Sequence, residues 1–246
     1  MNSRKIIELT GLPAAGKSAA ESAILESLRA HRQPAVQRAD LIHDYIRTRF
    51  CRSYSPRYWL RRPVTLRYRT GVWMRHLRDR RAAGVGLRRL RGTCGLAGYL
   101  YSEDMMLYSH YLARGDGAFP RESIYVASEG LVHHEAALRT WCGEALEPLC
   151  GKWPAAHPAA TLIVLHLQAP ADEVFERFWT RGVLPTWPRC TRTRDEAQRA
   201  FLRYQKAIEV SLEQYARAGV RVVALDASGS PGQTAAKLGN LLGALF

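Results

Sequence analysis

Residues 11–18 read Gly-Leu-Pro-Ala-Ala-Gly-Lys-Ser, an order of residue types suited to gripping phosphate. Glycines let the backbone curl so that successive N–H groups point inward, and the N-terminus of the helix that follows adds its dipole. In the pattern G-x-x-x-x-G-K-[ST] the lysine reaches the β- and γ-phosphates of a nucleoside triphosphate, and the hydroxyl ligates magnesium. Gly11, Ala14, Ala15, Gly16, Lys17, Ser18 and Ala19 are therefore the expected cradle, with Lys17 acting on the phosphates and Ser18 on the metal. The surroundings agree: an apolar strand, KIIEL, precedes the loop and an amphipathic pattern follows it.

Two carboxylates sit where such a loop needs them. Glu129 comes directly after the strand-like SIYVAS, and an acid at a strand tip beside the loop holds a nucleotide-bound magnesium or its water. Such an acid also simply starts a turn before Gly130. Asp40 ends the short segment VQRAD, where a carboxylate takes the proton of an acceptor hydroxyl. An aspartate there also caps a helix, and the two roles are compatible. Asp40 and Glu129 both stand as candidates for the base.

Arg177 and Arg181 lie four apart on a helical pattern and so share a face. Arg189, Arg192 and Arg194 follow among Pro185, Trp187 and Pro188. Phosphoryl transfer is helped mainly by positioning and charge, so 177–195 reads as a lid that brings arginines over the phosphates. His133, His134 and Glu135 are adjacent, which is not a zinc spacing. They read as surface or substrate-lining side chains.

These groups need a scaffold. Strand patterns at 5–9, 35–38, 123–128, 161–167 and 220–225 alternate with helical ones, which indicates a parallel sheet covered on both faces. A helix is expected over 17–30, with Ile24, Leu25 and Leu28 on its inner face. Another opens after Pro170, where Asp172 and Glu173 suit a first turn. Ala197, Phe201, Tyr204, Ile208, Leu212 and Tyr215 form an amphipathic stripe, and Leu238, Leu241, Leu242 and Leu245 a shorter one. The stretch 41–121 breaks the alternation. At about eighty residues it is too long for a bare loop and reads as a helical insertion, with its clearest helix at 102–112.

The chain has 246 residues, 47% of them hydrophobic, which suits one α/β domain, 1–246, carrying an insertion. No apolar run reaches the roughly 18 to 20 residues of a membrane span. The N-terminal segment, its short apolar stretch broken by Glu8, reads as a first strand and not as a secretory signal. Five cysteines without a Cys-x-x-Cys pair fit reduced thiols and a cytoplasmic setting. The net charge is +14, and between residues 41 and 92 fifteen arginines face only Asp44 and Asp79. A field so concentrated faces an anion: phosphate, nucleic acid or an acidic membrane surface.

The chain resembles the nucleotide-kinase branch of P-loop proteins, thymidylate-kinase-like enzymes above all. The resemblance rests on GLPAAGKS, the acid after the third strand, LHLQAPADEVFERFWTRG, and the closing VRVVALDASGSPGQTAAKLGNLL. It implies a three-layer sandwich with strand order 2-3-1-4-5, ATP as donor, Mg2+, Arg177 over the donor, and the turn at Asp226 beside the adenine. The family has Asp-Arg or Glu-Arg after the third strand; this chain has Glu129-Gly130. VQRADLIHDYI is similar to the second-strand region of chloramphenicol phosphotransferase and related hydroxyl kinases, whose aspartate is the base. The expected function is an ATP-dependent kinase acting on a small anionic acceptor: a nucleotide, nucleoside or other hydroxyl compound. The alternatives are a nucleic-acid-binding ATPase or polynucleotide or tRNA kinase, or peripheral contact with an anionic membrane. The expected assembly is a monomer or homodimer.

Overall fold

The central strand of the sheet is the one that enters the glycine-rich loop. In the computed structural model, which describes residues 4–37, 123–142, 160–182 and 193–245, β1 (Arg4–Thr10) lies between β3 (Ile124–Ala127) and β4 (Ala160–Gln168). The short β2 (Ala35–Gln37) and β5 (Arg221–Asp226) form the edges. All pairings are parallel and the order is β2-β3-β1-β4-β5, as the resemblance implies. Asp40, the insertion 41–121, and Arg189 and Arg192 lie outside the described residues.

Burial explains the composition of the strands. Ile6, Ile7, Leu9, Val126, Val164 and Leu165 are almost fully enclosed, because a parallel sheet is covered on both faces and its strands read as continuous apolar runs. Ile6 sits opposite Tyr125 and Leu9 opposite Leu165. Glu8, on the same strand, is as buried as its apolar neighbours.

Helices supply the outer layers. α1 (Lys17–Ala30) buries Ala20, Ile24, Leu25 and Leu28 and packs with the terminal α5 (Pro231–Leu245). On the other side α2 (Leu131–Cys142) packs with the long α4 (Arg194–Arg217). α4 inserts every member of the expected stripe, from Ala197 to Tyr215. Its start is fixed by a capping box in which Thr193 and Glu196 satisfy each other's backbone N–H groups, a device typically worth about 1 kcal/mol.

α3 (Ala171–Thr180) begins directly after Pro170 and is held by aromatic packing. Phe175 meets Phe201 edge-on at 5.4 Å, and Phe178 lies 5.7 Å from Phe201. Phe201 is buried among them, and truncating it to alanine would cost about 3–5 kcal/mol. Arg139 of α2 donates to Glu135 on its own helix and to Gln214 on α4 at 2.6 Å. That bond ties the two helices together.

Candidate functional site

β1 ends at Thr10, and the next residues turn sharply into α1. Gly11 has φ +150, and a Cβ there would come within 2.8 Å of the Leu167 carbonyl oxygen. The loop therefore runs against β4 as closely as a backbone can. Ala14 and Gly16 take φ +67 and +90, left-handed geometry that curls the chain, and the Ala15 N–H donates to the Leu12 carbonyl at 3.1 Å. Gly16 stands at the N-cap of α1, and no side chain caps that end.

Lys17 folds back across the loop and donates to the carbonyls of Gly11 and Leu12, each at 3.0 Å. Burial lowers its pKa to about 8, and the nearby Glu129 carboxylate partly offsets that by pulling it upward. An ammonium held by two neutral carbonyls in a confined site is stabilised when an anion arrives beside it.

The loop opens into a cavity of about 410 Å3. Lys17, Ser18 and Glu129 line its floor, and His133, Thr140, Phe178, Arg181 and Tyr204 its walls. Glu129 is a little over half exposed, and its carboxylate lies 3.9 Å from His133 Nε2. His133 Nδ1 and the Tyr204 hydroxyl are 2.8 Å apart. With the tyrosine donating, the imidazole proton sits on Nε2 and faces Glu129.

A smaller recess of about 80 Å3 also borders the loop, lined by Ala15, Gly16, Ala19, Arg177, Ala227 and Gly229, among others. It lies beside the turn after β5. The turn contributes Ala227 and Gly229 to the lining; Asp226 itself is tied to Lys237 and Ser228. Those bonds, the one from Lys237 foremost, hold its carboxyl well below the usual range.

The expected residues are thus partly assembled. Lys17, Ser18, Ala14, Gly16, Ala19 and Glu129 share one cavity. Arg177 and Arg181 serve different recesses: Arg181, at the C-cap of α3, reaches the main cavity, while Arg177 lines the smaller one and pairs with Glu173 at 3.1 Å. Arg194 instead pairs with Glu176 and lies over the Phe175 ring. Asp40, the other candidate base, lies outside the described residues.

One expectation is corrected. His134 and Glu135 are neither surface nor cavity-lining residues: both are buried. His134 Nδ1 reaches the Gly130 carbonyl at 2.6 Å, and Glu135 takes both of its Arg139 bonds on Oε1. Of the trio, His133 alone lines the cavity.

Sequence reasoning missed Glu8. Its buried carboxylate accepts the backbone N–H groups of Leu131 at 2.9 Å, Val132 at 2.7 Å and His133 at 3.3 Å. The signal was an acid inside an otherwise apolar strand, a place acids occupy only when partnered.

Magnesium and a phosphate chain fit what is present. Among the described residues no three His, Cys, Asp or Glu side chains form a metal cluster. Magnesium does not need one, because it keeps waters and takes one or two protein oxygens alongside substrate phosphates. Ser18 and Glu129 offer such oxygens on one cavity, and the curled loop offers the anion cradle. No described helix is long and apolar enough to cross a membrane.

Comparisons with protein-family models and with curated protein sequences give no match. Among solved structures the chain is similar to a shikimate kinase from Bacteroides thetaiotaomicron, at 14% identity and TM-score 0.41, over 98% of each chain. It is also similar to the YorR protein from Bacillus subtilis in complex with phosphorylated GDP, at 11% identity and TM-score 0.45, over 97% of this chain and 95% of that one. A gluconokinase from Sinorhizobium meliloti matches at 16% identity and TM-score 0.37, over 100% and 97%.

Proposed function

We propose that this chain is an ATP-dependent, magnesium-using kinase that phosphorylates a small, anionic, hydroxyl-bearing acceptor. One observation carries the reading: Lys17, Ser18 and Glu129 line one cavity of about 410 Å3 at a curled phosphate-type loop, a volume within the range of small-molecule sites. In this reading the loop N–H groups and Lys17 hold the β- and γ-phosphates, Ser18 and Glu129 hold the metal and its water, and Arg177 lies along the donor. Magnesium held by Ser18 and Glu129 would supply positive charge to offset that of the phosphates. The acceptor lies against His133, Thr140 and Tyr204, with Arg181 supplying a positive charge. Its hydroxyl oxygen bonds to the γ-phosphorus, the bond to the bridging oxygen of the β-phosphate breaks, and ADP leaves. The hydroxyl proton passes to a carboxylate, Asp40 or Glu129.

A screen of ATP consumption against nucleosides, nucleotides, sugars and aminoglycoside-like compounds tests this. The Lys17→Ala protein should fold and show no transfer; undiminished turnover in that variant removes the kinase reading. The arginine-dense stretch 41–92 favours one alternative, a kinase acting on a polynucleotide. Gel-shift titrations with RNA and DNA at two salt concentrations decide it, because affinity through phosphate contacts falls steeply as salt rises. The absence of salt-sensitive binding disposes of that alternative.

A further inference from the structure

We propose that Glu8 is a positioning residue, matched to Gly130, that holds the start of α2 so that Glu129 and His133 face the cavity. The functional half of this inference rests on the kinase reading; the structural half does not.

Glu8 lies on β1, three residues before the phosphate-type loop, and crosses to the opening turn of α2. Through both carboxylate oxygens it accepts from the N–H groups of Leu131, Val132 and His133. These are donors that a helix N-terminus leaves without intrahelical partners. A buried carboxylate needs such bonds to remain charged, and a helix start favours negative charge beside it. The position of α2 is thereby fixed to the strand that bears the loop. Glu129 lies two residues before the first of these N–H groups, and His133 contributes one of them.

Gly130 is the other half of the pair. A Cβ built on it would overlap the carboxyl group of Glu8, so any larger residue evicts the carboxylate or moves the backbone. The Gly130 carbonyl also receives His134 Nδ1, which steadies the same turn. This is a physical reason for a glycine at this position. The room that any Cβ would need is taken by Glu8.

The test has two arms, both on the full chain. In the first, melting temperatures are compared for Glu8→Ala, Gly130→Ala and the double variant. Gly130→Ala should destabilise the wild-type protein but do so much less in the Glu8→Ala background, where the colliding carboxyl is gone. Equal losses in both backgrounds overturn the pairing. Glu8→Val, which keeps a strand-forming residue, replaces Glu8→Ala if that variant does not fold. The second arm uses Glu8→Gln, which keeps the volume but presents an amide to the three N–H groups. Its affinity for ATP without magnesium should match wild type, its magnesium-dependent gain in ATP affinity should shrink, and kcat should fall about 10²-fold, the scale of a small misplacement of reacting groups. A purely structural role leaves kcat and the magnesium-dependent gain unchanged in the folded variant, and that result overturns the positioning role. If wild-type protein transfers no phosphate to any acceptor, the kinase reading fails, while the melting comparison still decides the pair.

Discussion

Two helices begin at the same edge of the sheet, and the protein treats their N-termini in opposite ways. α1 starts at Gly16 with no side-chain cap and opens into the cavity. α2 starts beside Gly130 with its first N–H groups taken by Glu8. Helix N-termini attract anions by the same dipole and the same spare donors, so two open ends would compete for one phosphate chain. Filling one with an internal carboxylate leaves the other as the end open to an external anion. The difference lies in the side chains, since the backbone chemistry of the two starts is the same.

The comparison is broken most severely at its open end. Lys17→Ala removes the cation of the cradle, and transfer should fall by at least about 10²–10³-fold, the loss typical of deleting one charge-stabilising donor; single-turnover assays on the folded variant measure it. At the filled end, Gly130→Ala should cost about 1–3 kcal/mol through overpacking, read as a lower midpoint in denaturant. An unchanged midpoint would mean that Glu8 moves aside freely. Arg181→Ala should raise KM for the acceptor about 10-fold, near the worth of one charge-assisted hydrogen bond, with ATP affinity unchanged. A loss of ATP affinity instead would assign Arg181 to the donor.

The smallest effect lies away from both helix starts. The Asp226 carboxyl titrates well below its ordinary value of 3.8 because Lys237 and Ser228 bond to it. A group depressed in the folded state contributes stability that is complete above its unfolded value and fades as pH falls below it. Lys237→Ala should therefore melt slightly below wild type at neutral pH, and the gap should close as pH drops below about 4. A gap independent of pH would mean that Lys237 acts by packing alone.

Much of this was legible in the sequence, and the divide follows the range of the signals. The loop, five strands and α1, α3, α4 and α5 rest on local patterns: a fixed motif, apolar runs and steps of three and four. Glu129 was readable because a strand tip next to the loop strand has a known place in the fold. Glu8 was not, because its partners lie more than 120 residues away and an acid in a strand looks like an interruption until its donors are known. Tyr204 read as core, and it is core, yet its hydroxyl end reaches His133 at the cavity wall. His134 and Glu135 went astray for a related reason: polar character suggests exposure, while their satisfaction depends on Gly130 and Arg139.

Ala14 carries a last consequence. At φ +67 it holds a left-handed conformation that disfavours a residue with a Cβ by about 1–2 kcal/mol. The tie from Ala15 to Leu12 and the reach of Lys17 hold the chain in that shape through bonds internal to the loop. These internal bonds do part of the work of ordering the loop, so on the kinase reading less of the cost of immobilising it would fall on binding.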